Sequence, residues 1–381
     1  MHFGSAAMMR VCDPMLPALA RDFGVTTGQA ASTISAYAIA YGLLQFFFGP
    51  AGDRWGKRRV IGFAALATVA GNLLALVAPT LEVLVLARVL SGAAAAGIIA
   101  LVLAWIGDTV PYAERQVVLA RFLTASLTGM MAGQWAAGVL TEHVGWRAVF
   151  ALLVLLLGTG GTIIILDRAL RSEGRAGGAS RSHLRAIADV LSVPWARAML
   201  AFVAVEGALA FGAVAFLPAF LAHSYGLSLS TAAAIVVLYG LGGLGYAFAA
   251  RWLVPRLGET GVALAGGVAL ALAWTALALG THWAMALPAA ALAGLGFYSL
   301  HGLMQTHATQ MVPALRGTAV SLFAATMFIG IASGVAVAGR VVDHLGYRPL
   351  FAACAGGLLV LALLFAWRLR ARARAAAHTP S

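Results

Sequence analysis

The chain has 381 residues, of which 62% are hydrophobic and only 10% are charged, whereas about 25% are charged in ordinary soluble domains. So little charge cannot cover a water-facing surface, which excludes a soluble globular protein. The formal net charge of +12 would also suit a nucleic-acid-binding protein, so the positions of the basic residues have to decide between that class and a membrane protein.

Apolar runs of about 20 residues, the length that crosses a ~30 Å hydrocarbon core as a helix, recur along the whole chain. Most are rich in alanine, glycine and leucine, and small residues allow membrane helices to pack closely. We therefore predict an all-α membrane protein. Its twelve predicted spans cover residues 3–20, 31–51, 60–78, 83–106, 117–140, 148–167, 198–222, 231–254, 261–280, 285–311, 317–341 and 349–368.

The first apolar run begins almost at Met1 and is interrupted by Arg10. It lacks the basic start and the small-residue cleavage site of a secretory signal peptide, so we interpret it as a membrane span. The two cysteines, Cys12 and Cys354, both lie in apolar segments and fit neither a disulfide framework nor the spacing of metal ligands. We expect no metal and no cofactor.

The basic residues divide unevenly between the two sides of the predicted membrane. With both termini inside, 19 of the 25 lysines and arginines fall in cytoplasmic positions. Because positive charge marks the cytoplasmic side, we predict a multi-pass inner-membrane protein with cytoplasmic N and C termini. The net charge then belongs to loops beside anionic lipid, and no nucleic-acid partner is expected. Arginines near the end of a span are counted here with the adjoining loop. Four exceptions then fall outside and two lie well within spans: Arg21, Arg147, Arg340, Arg348, Arg10 and Arg88.

One long polar segment, residues 168–197, separates the first six spans from the last six. Within it, residues 183–191 form a short amphipathic stretch that either lies on the membrane surface or belongs to a solvated linker. The predicted domains are six-helix bundles at 1–167 and 198–368, joined by this cytoplasmic linker and followed by a basic cytoplasmic tail at 369–381.

The two halves repeat each other. Residues 142–151 read EHVGWRAVFA and residues 343–352 read DHLGYRPLFA, an offset of 201 at which most positions are identical or similar. A single register across a whole span indicates a tandem duplication. Two copies of six spans share one orientation, are related by an axis along the membrane normal, and enclose a central cavity. The same offset pairs Gly129, Gly133 and Gly138 with Gly330, Gly334 and Gly339.

The loop between the second and third spans reads GPAGDRWGKRR at residues 49–59. It resembles the signature loop of the major facilitator superfamily, G-x-L-x-D-R-x-G-R-[KR], with Ala51 and Lys57 as departures. The resemblance covers essentially the whole chain and implies twelve transmembrane helices in two pseudosymmetric six-helix bundles. It also implies a cytoplasmic gate that holds the halves together when the protein is open to the outside; topology anchoring alone is the alternative. The gate residues would be Gly49, Asp53, Arg54, Gly56, Lys57 and Arg58.

We expect Asp53 to cap the following turn or to pair with an arginine, and Gly49 and Gly56 to allow close packing and a tight turn. Two further segments resemble the drug/proton antiporter branch of the superfamily: RVLSG at residues 88–92 in the fourth span, and GMMAGQWAAG at residues 129–138 in the fifth. In the latter, Gln134 stands where that branch has proline, a departure that weakens the assignment.

Ionisable side chains inside a bilayer cost at least ~2.5–3.5 kcal/mol on insertion scales and are therefore candidates for function. Arg10 and Asp13 are three residues apart in the first span, where they either form a structural ion pair or bind a proton or cationic substrate. Pro14 and Pro17 predict a kink beside them. Glu206 lies near the middle of the seventh span, and it is either a proton carrier or a protonated, helix-bonded side chain.

Arg88 in the fourth span matches the arginine that the family resemblance links to proton coupling, and packing or snorkelling is its alternative. In the tenth span, His301 and Gln305 share one helical face, and His301 could bind substrate or titrate. Gln45 and Gln134 are further candidates to line the cavity. For a single histidine or glutamine, a hydrogen bond between helices is the competing interpretation.

We therefore expect a secondary active transporter, not an enzyme, that works as a monomer by alternating access. Its expected activity is proton-coupled efflux of small amphipathic compounds or drugs, with protons and the lipid bilayer as its other partners. A proton symporter or facilitator for a sugar or organic anion is the alternative, with Arg10 and Arg88 binding the anion. A membrane receptor or an intramembrane enzyme is the alternative from another class. No ATP-binding loop of the type G-x-x-x-x-G-K-[ST] is present.

Overall fold

The computed structural model describes residues 2–166 and 183–377, so the first half of the predicted linker and the last four residues lie outside it. The described residues are almost entirely helical and contain no strand. The first half forms eight helices, α1 to α8 in chain order: His2–Met8, Leu16–Phe23, Thr27–Ala30, Ser32–Trp55, Lys57–Leu76, Leu81–Thr109, Tyr112–His143 and Trp146–Leu166.

The second half begins with a short helix at the end of the predicted linker, where the amphipathic stretch was expected. This helix, α9, buries Ala186 and Val190 and exposes Arg185 and Asp189. Five longer helices follow it. The helices α9 to α14 are His183–Ser192, Pro194–Tyr225, Leu229–Leu279, Ala286–Ala308, Arg316–Leu345 and Tyr347–Ala377.

These helices accommodate the twelve predicted spans. Nine helical segments in the described part of the chain are long and apolar enough to cross a membrane, judged by length and composition. One of them, α11, has 51 residues and contains two predicted spans, which are separated at Gly258 by a non-helical φ of 63°. The fifth predicted span lies in α7. The first is divided between α1 and α2.

The first span departs furthest from a regular helix. Residues 9–15 form successive turns, with hydrogen bonds such as Asp13 N–H to the Arg10 carbonyl in place of the α-helical pattern. Pro14 and Pro17 cause this locally, because neither has an N–H to donate to the preceding turn. The first span is therefore not a kinked helix, as predicted, but a helix that is interrupted at the segment carrying Arg10 and Asp13.

The chain separates into two compact units. Unit 1 comprises Met1–His183 and Leu227–Ala234, and unit 2 comprises Leu184–Gly226 and Ile235–Ser381. The first turn of α11 therefore packs with unit 1. At that point the Ser230 N–H donates a hydrogen bond to Glu142 at the end of α7, over 2.8 Å. The Ser230 side chain and backbone hold the pKa of the exposed Glu142 carboxyl below its usual value.

The sequence repeat corresponds to repeated contacts within the units. In unit 1, a Cβ added to Gly133 would lie 2.6 Å from the Cα of Ala7, so the fifth span touches the backbone of the first. In unit 2, a Cβ added to Gly334 would clash in the same way with the Cα of Ala208. Both residues of the second pair stand 201 positions after those of the first, which supports the duplication.

Helix ends repeat as well. In unit 1, the Arg147 guanidinium donates a hydrogen bond to the Ala78 carbonyl over 2.8 Å. In unit 2, Arg348 donates to the Gly280 carbonyl over 2.9 Å. These arginines are again 201 residues apart, whereas the two carbonyls are 202 residues apart. The register of the two copies therefore shifts by one residue between the third-span and fifth-span regions of the repeat.

Candidate functional site

The interrupted first span places a buried ion pair in unit 1. Arg10 Nη2 lies 2.5 Å from Asp13 Oδ2, and the Asp13 side chain is fully buried. The Gln134 side-chain amide in α7 donates a hydrogen bond to the same oxygen over 3.0 Å. Gln134 is the residue that replaces the proline of the antiporter motif, so this departure supplies a hydrogen-bond donor to Asp13.

Arg88 in α6 lies beside this pair and is fully buried. Its guanidinium donates to the carbonyls of Met8 and Thr33, over 3.2 and 3.4 Å, and packs on the Tyr37 ring at 4.2 Å from the centroid. The Met8 carbonyl is available because the first span leaves the helical pattern there. Arg88 therefore satisfies backbone groups at the interruption, a local role that its position in sequence did not show.

Unit 2 contains a second buried carboxylate. Glu206 Oε2 in α10 lies 2.8 Å from His301 Nδ1 in α12, and the Glu206 side chain is fully buried. Two of the predicted candidates, 95 residues apart in sequence, thus form one pair. A buried charge next to a group that can carry the opposite charge is far less costly than an isolated one.

Aromatic rings enclose the imidazole of this pair. The ring of Phe297 stacks on His301 with centroids 5.1 Å apart and planes at 9°, and the ring of Phe323 lies 5.7 Å away. Phe211 contacts Phe297 edge-on at 5.2 Å. Aromatic faces attract cations as well as apolar groups, so the surroundings of Glu206 and His301 suit an amphipathic cation.

Each carboxylate engages only one of its two oxygens. Asp13 Oδ1 and Glu206 Oε1 are both buried, and neither has a hydrogen-bond partner among the described residues. A buried acceptor without a partner is rare and costly, and calls for an explanation. In both units the geometry therefore leaves one position where a proton or a positively charged donor could bind.

The signature loop forms a separate cluster at the end of α4. Lys57 pairs with Asp108 at the end of α6, and its Nζ lies 3.6 Å from Asp53. The partner of Asp53 is thus Lys57, where we had expected an arginine. Gly56 has a φ of 90°, as the predicted tight turn requires.

The expected close packing at Gly49 is wrong, since no described atom lies within 4 Å of an added Cβ. It is Gly52 that packs closely, 2.6 Å from the Leu101 side chain by the same criterion. The guanidinium groups of Arg54 and Arg58 lie on the rings of Trp55 and Trp105, at 5.7 and 5.5 Å. The loop geometry thus fits a tight turn stabilised by charge pairing.

Comparison with known families decides what kind of protein carries these features. The pattern that defines the Major Facilitator Superfamily matches residues 1–314 and 214–381, which together span the chain. The chain belongs to the major facilitator superfamily. It is therefore a multi-pass membrane transporter, and the relatives and structural neighbours of this superfamily member are transporters rather than enzymes.

Individual relatives include drug-resistance proteins. This superfamily member is 28% identical over 363 residues to a chloramphenicol resistance protein of Streptomyces lividans, covering 93% of the chain and 91% of that protein. It is 35% identical over 149 residues to a puromycin resistance protein of Streptomyces alboniger, covering 37% of the chain but only 29% of that protein. Among solved structures, a mutant form of the nucleoside transporter NupG matches with a TM-score of 0.80 at 15% identity, covering 96% and 98% of the two chains; this likeness concerns the fold alone.

The structure does not unite all the predicted candidates of this transporter. Neither buried carboxylate bonds to Gln45 in α4, which is half-buried, or to Gln305 in α12, which is exposed, within the described ranges. Sequence analysis missed Asp108 and the buried Asn72 of α5, which donates to Met8 Sδ over 3.2 Å. A single asparagine in an apolar span was the available signal for Asn72. Among the residues that the structure describes, no three His, Cys, Asp or Glu side chains come together as a metal site.

Proposed function

We propose that this transporter exports small amphipathic, cationic compounds across the inner membrane in exchange for protons, by alternating access. The observation that carries the proposal is the buried Glu206–His301 pair with its aromatic surroundings. Similarity to chloramphenicol and puromycin resistance proteins supports export as the direction. The arginine distribution supports cytoplasmic N and C termini.

The exchange follows from charge balance at the pair. With Glu206 protonated and His301 neutral, the pair is uncharged, which suits its fully buried position. A cationic substrate bound beside the carboxylate replaces the proton, so that the site is again neutral and one proton has left. Binding of a proton from the outside reverses the step and releases the substrate, which couples the two movements.

Asp13 has a supporting role in this proposal. Its charge is balanced by Arg10 and one of its oxygens is held by Gln134, while Oδ1 is left for a proton or a donor. Together with Arg88, this cluster fixes the interrupted first span and presents a carboxylate in unit 1. We propose that Asp13 contributes to cation binding and that Arg10 adjusts its affinity for the proton.

The alternative of an anion symporter required Arg10 and Arg88 to bind the substrate. In the structure Arg10 pairs with Asp13, and Arg88 is committed to two carbonyls and the Tyr37 ring. The charge of Arg10 is thus balanced by Asp13, whereas the groups that hold Arg88 are neutral and its Nη1 has no hydrogen-bond partner among the described residues. The balanced charge of Arg10 and the two unpartnered carboxylate oxygens favour a cation over an anion as the transported species.

The proposal is tested in everted membrane vesicles, where an exporter moves its substrate into the lumen. With the lumen acidified and no ATP, we expect wild-type vesicles to accumulate ethidium, and we expect this to stop when the pH gradient is dissipated. Glu206→Gln and Asp13→Asn should reduce accumulation to the level of vesicles without the protein. The matched control is Glu259→Gln, because Glu259 also faces a histidine, His307, at 3.0 Å but is 53% exposed.

Three outcomes would count against the proposal. If accumulation does not respond to the pH gradient, the transporter is not proton-driven. If Glu206→Gln and Asp13→Asn both keep wild-type accumulation, the coupling site lies elsewhere. If intact cells take up an anionic sugar derivative in a manner that depends on Arg10, the symporter alternative replaces export.

A further inference from the structure

A groove of about 310 Å³ runs along the outside of unit 2 between α10 and α14. One wall is formed by Ala201, Phe202 and Val205, and the other by Gly357, Val360 and Leu364. Val360 and Leu364 are 55% and 50% exposed. The groove therefore opens toward the surroundings of the bundle, and the buried Glu206 is not among its lining residues.

The groove ends at a positive charge. Arg368 is its only charged lining residue, and the lining includes no acidic side chain. In the described part of the chain, no ion pair involves Arg368. One turn further along α14, Arg372 lies 4.5 Å from the centre of the Trp195 ring, at the start of α10. The apolar groove thus ends at the Arg368 guanidinium, with a second guanidinium one turn further along the same helix.

The dimensions fit one leaflet of a bilayer. From Gly357 to Arg368 the wall extends over eleven residue steps of α14, which is about 16 Å at ~1.5 Å per residue. Half of a ~30 Å hydrocarbon core is similar in length. The tryptophans beside the two arginines, Trp367 and Trp195, are residues that favour the interface between hydrocarbon and headgroups.

We propose that this groove is a binding site for an anionic phospholipid, with one acyl chain between α10 and α14 and the phosphate on Arg368. A guanidinium can donate two parallel hydrogen bonds to a phosphate, which gives the headgroup both orientation and affinity. Basic pockets between membrane helices recognise anionic headgroups by this chemistry. The site is independent of the transport step proposed above, since it involves neither carboxylate pair.

The test measures lipid retained by the purified full-length protein. Wild type and variants are loaded with phosphatidylglycerol or phosphatidylcholine in mild detergent, and bound lipid is counted by native mass spectrometry across a lipid titration. Arg368→Gln removes the charge at the groove. The matched control is Arg370→Gln, because Arg370 is also exposed but points about 200° around the same helix. Val360→Trp fills the groove without changing charge.

We expect wild type to retain one phosphatidylglycerol in preference to phosphatidylcholine. Arg368→Gln should weaken phosphatidylglycerol binding about tenfold, the loss expected for one charge-assisted hydrogen-bonding partner. Arg370→Gln should stay close to wild type, and Val360→Trp should displace both lipids. All variants are first shown to elute as monodisperse protein with a wild-type melting temperature.

Several results would overturn the proposal. Equal retention of the two lipids would show that the groove holds only bulk lipid. Equal losses in Arg368→Gln and Arg370→Gln would show general attraction to a basic helix. A wild-type lipid count in Val360→Trp would place the lipid elsewhere. If the wild type runs as a dimer that Val360→Trp dissociates, a second copy of the chain occupies the face instead.

Discussion

Arg88 shows how one buried side chain can support an irregular segment. Its guanidinium bonds to the carbonyls of Met8 and Thr33 and packs on Tyr37, so it joins α1, α4 and α6 at the place where the first span is interrupted. The carbonyls at such an interruption have no partner within their own helix, and hydrocarbon offers none. Arg88 donates a hydrogen bond to such a carbonyl, that of Met8, and also places positive charge near Asp13.

Replacing Arg88 should therefore destabilise the first span. In Arg88→Lys the charge remains, but a single ammonium cannot reproduce the geometry of the planar guanidinium, and an unsatisfied buried acceptor costs about 1–3 kcal/mol. We expect a melting temperature several degrees below wild type in detergent. The control is Arg59→Lys, an exposed position, which should melt as wild type does. An Arg88→Lys variant that melts normally but fails to transport would assign the residue to coupling instead.

At the residue scale, the sequence predicts which buried groups matter but not how they combine. Glu206 was evident because a carboxylate within an apolar span is costly, yet its partner His301 is 95 residues away. Gln134 is predicted from the sequence only as a motif departure and a cavity-lining candidate, and the structure gives it a hydrogen bond to Asp13. Such pairings depend on which faces of two helices meet, and that is decided by packing across the whole unit.

At the level of helices, hydropathy predicts where the apolar segments of the chain lie. It does not predict where the helices are interrupted or where they end. Pro14 and Pro17 predict a kink, but at the full break Arg88 from α6 satisfies the Met8 carbonyl, a contact that hydropathy does not show. Likewise α14 continues as a helix to Ala377, past the predicted end of the last span. Charged residues outside the hydrocarbon remain helical, because arginine and alanine both favour helix.

Glycines determine how closely the helices approach. A Cβ added to Gly294 in α12 would overlap the Tyr239 carbonyl of α11. The corresponding contact in unit 1, Gly92 against the Tyr37 carbonyl, lies 202 residues earlier at both positions. The duplication has kept two backbone contacts that allow no side chain.

Gly294→Ala should therefore push α11 and α12 apart. Overpacking of a tight interior costs typically about 1–3 kcal/mol, so we expect a lower melting temperature and less monodisperse protein by size-exclusion chromatography. Gly302→Ala on the same helix is the control, because its added Cβ would be 3.6 Å from the nearest atom, on the Tyr246 ring. Equal melting temperatures for the two variants would contradict the packing account.

On the scale of the whole molecule, the two units share a framework and differ in their ionisable groups. Backbone contacts recur at offsets of 201 or 202, whereas Glu206 corresponds to Ser5 and Asp13 to Val214. At the offset of 202, the acidic Asp53 of the signature loop corresponds to Pro255. A framework preserved by duplication, with carboxylates at unrelated positions, is what we expect if the halves have separate tasks in binding and coupling.

The orientation of the whole chain gives a direct prediction. Both termini and the linker should face the cytoplasm, because that side then carries most of the positive charge. In intact cells, an impermeant maleimide should label Thr281→Cys, between the ninth and tenth spans, but label Ser180→Cys in the linker only after permeabilisation. Cys12 and Cys354 are both buried, which keeps the background low. The reverse pattern would contradict the topology.

Displacement of a proton from the Glu206–His301 pair by a cation can be followed directly as proton release during binding. Purified transporter in weakly buffered detergent is mixed with ethidium while a pH-indicator dye reports proton release. We predict about one proton released per bound cation in the wild type, as linkage between the two ligands requires, and none in Glu206→Gln. Binding without proton release in the wild type, or equal release in Glu206→Gln, would contradict it.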